Sequence, residues 1–275
     1  MTQFDWKTID AAVRVAPGAA ASLRDRDPGD ESLFPDKDEA KQHVERCAEE
    51  IDALQDRLYA EHKRSLLVVL QGIDTSGKDG TVRGVFNACG PLGVNVKAFG
   101  KPSELELAHD YLWRVHLATP RRGMIGIFNR SHYEDVLVAR VRKLAPADEI
   151  ERRYEQINAF EKHLTENGVT LLKFMLHISK EEQKKRLQER LDDPTKHWKF
   201  NPGDLDDRAL WDDFQRAYEI AIERCSTPHA PWRVVPADKK WRRNAIVASI
   251  VKGALEEMDP QYPKADWKPE DFSIT

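Results

Sequence analysis

Leu66-Leu67-Val68-Val69-Leu70 leads into Gly72-Ile73-Asp74-Thr75-Ser76-Gly77-Lys78-Asp79-Gly80, and the fold is decided here. The first run is short, Val-rich and apolar at both alternating positions, the pattern of a strand covered on both faces of a parallel sheet. The glycines that follow let the chain turn so that backbone N–H groups and the start of the next helix face an anion. Lys78 adds a point charge for phosphate, and Gly77 and Gly80 let the backbone approach it. The phosphate-loop pattern G-x-x-x-x-G-K-[ST] calls for a hydroxyl after the lysine, where this chain has Asp79. Asp74 inside the loop would repel phosphate unless it holds a metal or takes part in the chemistry, so it is read as a Mg²⁺ or nucleophile-handling group. A purely structural glycine turn is the competing reading, and the strand before and helix after argue against it.

At 275 residues and a formal charge of −4 the chain can bury one large core and is no general nucleic-acid binder. Basic clusters at Arg121-Arg122, Lys184-Lys185-Arg186 and Lys239-Lys240 with Arg242-Arg243 read as solvated helix faces. Three cysteines in no CxxC pair indicate neither a disulfide framework nor a zinc site, and suggest a reducing, cytoplasmic setting. The nine histidines show no metal spacing, and neither a signal segment nor a membrane span is apparent.

Outward from the loop, strand and helix patterns alternate about five times, the signature of an α/β sandwich around a parallel sheet of about five strands. Residues 1–35, with Pro17-Gly18 and Asp27-Pro28-Gly29, read as an irregular arm over a single domain spanning 1–275. Val44, Cys47, Ala48, Ile51, Leu54 and Leu58 recur at helical spacing between Asp36 and His62, a stripe for the core or for a second subunit. Further strands are expected at Val94–Phe99, Met124–Phe128, Val169–Ile178 and Trp232–Val235. Ser179 with Glu182 forms a capping box for a helix carrying Arg186 and Arg190 on one face, followed by a loop to Asp207. This region, about 183–210, resembles the lid of nucleotide kinases, which closes arginines over phosphate. Trp198 between Lys196 and Lys199 reads as a packed anchor.

Ligands of open parallel sheets bind at the carboxyl ends of the strands. Phe128-Asn129-Arg130-Ser131-His132-Tyr133-Glu134-Asp135 ends the third strand and should share a crevice with the loop. Arg130 suits charge on a phosphoryl group in flight, and Asn129 stands where a metal-binding acid is usual. Glu134 or Asp135 can supply the missing carboxylate or merely cap their own helix. His132 and Tyr133 read as packing residues.

Three ordered motifs, Gly72-x-Asp74-x-x-Gly77-Lys78-x-Gly80, Phe128-Asn129-Arg130-Ser131-x-Tyr133-Glu134 and Asp193-Pro194-x-Lys196-x-Trp198-Lys199, resemble the type 2 polyphosphate kinases over about residues 36–260. The resemblance implies a thymidylate-kinase-like α/β/α sandwich and reversible transfer between polyphosphate and nucleotides, with Mg²⁺, or Mn²⁺ in its place. Carried over onto this chain, catalysis falls to Asp74, Lys78, Arg130 and Glu134. The resemblance also brings in Asn129 and the lid arginines Arg186 and Arg190; together with the reading of the residues themselves, phosphate binding is expected of Gly77, Lys78, Gly80, Arg83, Arg130, Arg186 and Arg190, nucleotide binding of Asn129, Glu134 and Asp135, and Mg²⁺ binding of Asp74 and Asn129. Asn129 with Glu134 resembles the subgroup acting on both AMP and ADP, and the family favours a homodimer or homotetramer. An ATP-dependent nucleoside monophosphate kinase and a nonenzymatic nucleotide-binding regulator stay open as alternatives.

Overall fold

The computed structural model describes residues 5–274. In chain order it contains α1 (Trp6–Val13), α2 (Lys37–Glu61), β1 (Ser65–Gln71), α3 (Lys78–Val85), β2 (Val94–Ala98), α4 (Glu104–Leu107), α5 (Trp113–His116) and β3 (Ile125–Asn129). There follow a 3-10 turn (His132–Asp135), α6 (Val138–Val141), α7 (Ala147–Glu166), β4 (Val169–His177), α8 (Lys180–Asp192), a second 3-10 segment (Pro194–Lys199), α9 (Gly203–Ala209), α10 (Trp211–Cys225), β5 (Trp232–Pro236) and α11 (Lys240–Met258).

The sheet has the order β2-β3-β1-β4-β5, and every pairing is parallel. All seven residues of β1 are buried, as expected of an apolar run enclosed on both faces. Leu70 pairs with Asn129 and Gln71 with Met175, so the chain leaves β1 beside the end of β3 on one side and β4 on the other. The chain folds outward from β1 in both directions, which opens a crevice at the carboxyl ends of these strands.

The helical stripe of α2 is spent on the protein's own core. Ile51 and Leu58 are fully buried, Cys47 and Ala48 nearly so, and Val44 and Leu54 pack against the same core. Their partner within the chain is α11, while Val44 and Leu54 keep part of their surface open.

The amino-terminal arm is more regular than its prolines and glycines suggest. Asp5 caps α1 by accepting from the Thr8 N–H (3.1 Å), and Ile9 and Val13 enter the core. Trp6 lies on Gly253 of α11, where a Cβ would come 2.1 Å from the indole. Asp10 forms a buried ion pair with Arg233 of β5, and the Arg242 guanidinium ties down the rest of the arm through the carbonyls of Phe34 and Gly29 (both 3.1 Å).

Behind the crevice a polar group is buried whole. Lys173 of β4 donates to Glu161 (2.6 Å), the Tyr133 hydroxyl (2.8 Å) and the Cys225 carbonyl (2.7 Å). Tyr133 and His132 complete the set on Glu161. Burial pushes the Glu161 carboxyl up, but Lys173 and His132 outweigh it and hold it below its ordinary value. His132 and Tyr133 therefore fix the turn after β3 from below. Among the described residues no helix is long and apolar enough to cross a membrane.

Candidate active site

A cleft of about 600 Å³ opens at the carboxyl ends of β1 and β3, lined by the glycine loop, Asn129, Arg130, α8, the 3-10 segment after it and the start of α11. A second cavity, about 650 Å³, lies between the arm and α10 and mixes Arg24, Arg26 and Lys180 with Glu219 and Glu223. The smaller cleft is the candidate site, because it alone joins a helix N-terminus, the loop lysine and converging arginines.

Gly77 precedes α3 with φ +103°, a conformation open to glycine, and the first helical hydrogen bond runs from Thr81 N to Gly77 O (2.9 Å). The N–H groups of Gly77, Lys78, Asp79 and Gly80 are therefore the ones a helix leaves free at its start. Two further residues of the cleft, Thr75 (φ +68°) and Arg130 (φ +61°), hold left-handed backbone that costs roughly 1–2 kcal/mol per residue. Such outliers gather at functional sites.

Lys78 is buried and its ammonium donates to the carbonyls of Gly72 (2.6 Å) and Ile73 (3.4 Å). Burial and the nearby Arg130 lower its pKa despite Asp74, Glu134 and Asp79. Asp74 and Arg130 form an ion pair across the cleft. Burial pushes the Asp74 carboxyl up, but Lys78 and Arg130 outweigh it and hold it below its ordinary value. Burial likewise works against the Arg130 cation, and Asp74 and Glu134 overcome it, so its pKa is raised.

Asn129 lines the cleft and donates its amide N–H to Asp79 (2.5 Å), the residue that replaces the usual hydroxyl. Glu134 accepts from Gln71 (2.8 Å) and lies beside Lys78 and Arg130 without lining the cleft. Asp135 is also away from the cleft lining: its carboxylate is 3.7 Å from Arg153 and 4.0 Å from Arg114. Burial raises its pKa against the pull of those two arginines.

Four expectations are corrected here. Arg83 is exposed one turn beyond the loop and lines no part of the cleft. Arg186, nearly buried at the cleft wall, spends its guanidinium on the carbonyls of Thr75 (2.9 Å), Ser76 (3.2 Å), Ala237 (2.8 Å) and Asp238 (2.9 Å) and on Glu182 (2.8 Å). It braces the loop instead of reaching over it. Trp198 is exposed at the cleft rim, with the Lys199 ammonium 5.0 Å from its ring centre, and is no packed anchor. The expected loop after Asp193 contains two short helices, because Asp193 caps the first and Asp204 and Asp206 favour the first turn of the second.

Arg190 faces the cleft, held by the Lys199 carbonyl (2.9 Å) and Asp204 (3.0 Å). Burial and the Asp74 charge push the Asp204 carboxyl up to about 6, against the pull of Arg190. The Ser179 hydroxyl caps α8 as expected, accepting from Glu182 N (3.0 Å), but the return bond of a capping box is missing. Asp238 takes the Ser179 N–H (2.8 Å), which leaves Glu182 for Arg186.

Sequence reading missed Arg243, Gln183 and Tyr218. Arg243 is buried against the loop, Gln183 donates to the Asp74 carbonyl (3.3 Å), and Tyr218 lies close to Gly72, Asp74 and Glu134. No local pattern marks any of them, because each reaches the loop only through the packing of α8, α10 and α11.

The comparisons with known proteins agree with this geometry. The family model described as Polyphosphate kinase 2 matches residues 35–263. An AMP/ADP-polyphosphate phosphotransferase of Meiothermus ruber is 51% identical over 95% of this chain and 98% of its own length. An ADP-polyphosphate phosphotransferase of Rhodopseudomonas palustris is 39% identical over 82% of this chain and 84% of its own. The crystal structure of polyphosphate kinase 2 from Arthrobacter aurescens superposes with a TM-score of 0.92 at 44% identity, covering 96% of this chain and 94% of that one. A cleft that sets a glycine loop, Lys78 and Arg130 at the end of a parallel sheet thus sits in a chain that belongs to the polyphosphate kinase 2 family.

Proposed function

We propose that this protein transfers phosphoryl groups reversibly between inorganic polyphosphate and adenine nucleotides, AMP to ADP and ADP to ATP. The observation that carries the reading is the convergence of Lys78, Arg130 and Arg190 on a cleft whose loop leaves backbone N–H groups free at a helix start. Phosphoryl transfer needs little covalent chemistry from the protein; positioning and neutralisation of charge do the work. Lys78 leaves its carbonyl contacts for the anion, and Arg130 stabilises charge on the transferring group while Asp74 holds it in place. The 51% identical relative named for both AMP and ADP supports the two-step acceptor range.

Mg²⁺, or Mn²⁺ in its place, fits the donor set. Magnesium is usually held by one or two carboxylates together with substrate phosphates, keeping several waters. Asp74 offers one ionised carboxylate at the cleft, with Asn129 and Asp79 beside it. The buried hydroxyls of Thr75 and Ser76 make no hydrogen bond among the described residues, so the loop has polar atoms to spare for a hydrated phosphate. Bound there, the cation would neutralise charge on the transferring phosphoryl group.

The three cysteines are free, which supports a cytoplasmic setting. A homodimer or homotetramer remains part of the reading. Exposed Leu92, Val96, Leu105, Leu107 and Leu117 near the edge strand β2 offer apolar surface for it.

The test is purified protein with Mg²⁺ and two reactions in parallel, ADP with long-chain polyphosphate and AMP with ATP. ATP formed in the first supports the proposal. Transfer only in the second identifies an ATP-dependent monophosphate kinase, and transfer in neither reduces the chain to a binding module.

A further inference from the structure

We propose that Arg243 is a positioning residue for phosphoryl transfer, which with Arg186 pins the Ser76 carbonyl behind the loop and so aims the Gly77 N–H at the phosphate. The inference rests on reading the loop as a phosphate cradle.

The Ser76 carbonyl accepts from Arg186 (3.2 Å) and from Arg243 (3.3 Å). In a planar trans peptide the C=O and the N–H of the next residue point in opposite directions. A carbonyl held on the buried side therefore fixes the Gly77 N–H on the other. The fit leaves no slack, since a Cβ on Gly77 would lie 1.8 Å from the Arg243 guanidinium and one on Gly80 would lie 3.1 Å from it. Glycine at both positions lets the guanidinium come up against the loop.

Packing alone does not account for an arginine here. Arg243 is 1% exposed, and its other acceptor is the Asn244 side-chain carbonyl (2.9 and 3.1 Å). Among the described residues no carboxylate pairs with it, and its charged neighbour is a second cation, Arg186. Burial, with repulsion from Arg186, lowers its pKa to about 9. A buried charge without a partner is costly, and a hydrocarbon of similar volume often packs at least as well. The countercharge absent from the protein is what a bound phosphate brings. Arg242, the next residue, is equally buried but serves the arm through Phe34, Gly29 and Glu31.

The neighbouring pair gives the test. R243M, R243K and R242M are compared with the wild type for melting temperature, for binding of inorganic tripolyphosphate by calorimetry, and for kcat and KM with polyphosphate and ADP. Methionine at 243 keeps the stem volume, so R243M should melt within a few degrees of the wild type while binding tripolyphosphate about 10- to 100-fold more weakly, the range for a lost charge-assisted hydrogen bond. R243K should recover part of that loss. R242M should lose thermal stability and keep its affinity. Wild-type affinity in R243M, or an equal affinity loss in R242M, overturns the inference, as does an R243M or R243K chain that cannot fold. Wild-type protein that binds no tripolyphosphate overturns the transfer reading itself, a result separable from any of these.

Discussion

Replacing Lys78 by alanine removes the one ammonium inside the loop, and its two consequences are separable. In the protein Lys78 donates to Gly72 O at 2.6 Å, a charge-assisted bond of the kind worth ~1.5–3 kcal/mol. Against that stand the cost of burying the charge and repulsion from Arg130, both visible in its lowered pKa. These effects oppose one another, so folding stability should change by about 1 kcal/mol or less, roughly 2–4 °C in Tm for a chain of this size. Catalysis has no such offset. Loss of a preorganised charge at the transferring phosphoryl costs ~2.7–4 kcal/mol, or about 100- to 1000-fold in kcat. Asp74→Asn should fall in the same range, because it releases the ion pair that holds Arg130. Initial rates of ATP formation from ADP and polyphosphate, beside a thermal melt, decide the matter. Lys78→Ala turning over within a few-fold of the wild type would refute the role given to the loop. A melting temperature lowered by more than about 10 °C would show the lysine to be structural.

Three other outcomes are expected. Lys173→Met leaves Glu161 buried without its cation, and breaking such a pair costs ~3–5 kcal/mol; a denaturation midpoint equal to that of the wild type would show that Tyr133 and His132 suffice. Asp204 has a carboxyl pKa raised to about 6, so as pH falls through that value it takes up a proton and releases Arg190. Polyphosphate affinity should therefore rise more steeply below pH 6 in the wild type than in Asp204→Asn, and identical profiles would remove Asp204 from the account. Because its pKa is raised in the folded protein, burial and Asp74 outweighing Arg190, this group weakens folding as pH climbs from about 4 to about 6, the opposite of a carboxylate whose pKa is lowered. Arg190→Gln should lower turnover with little change in Tm, whereas Arg186→Gln should lower both, since it removes the arginine donor from the carbonyls of Thr75, Ala237 and Asp238 and leaves that of Ser76 to Arg243 alone; equal melting of the two variants would count against the brace.

Much of the fold could be read from local pattern. The apolar run of β1 and the glycine loop announce themselves, and so does the Ser179 cap, because each depends on neighbours in the chain. What escaped depends on distant packing. Helix α1 is short and set among prolines and charges, and it is held by a groove at Gly253 and by Arg233, both more than two hundred residues away. The site divides along the same line. Lys78, Asp74, Asn129 and Arg130 are placed by strand ends, whose geometry follows from the sheet. Arg186 and Arg243 look in sequence like members of solvated basic runs, and Lys184, Lys185, Lys239 and Lys240 around them are indeed exposed. Charge and helical spacing put Arg186 and Arg190 on one face, yet they cannot show that one meets carbonyls and the other the cleft.

The most direct test of the whole account is a time course with AMP as the only nucleotide supplied, long-chain polyphosphate as the only donor, and Mg²⁺, with products separated by anion exchange. The account predicts that ADP accumulates first and ATP follows from it in the same cleft. AMP left unchanged under these conditions, while ATP converts it to ADP in a parallel reaction, would contradict polyphosphate as the donor.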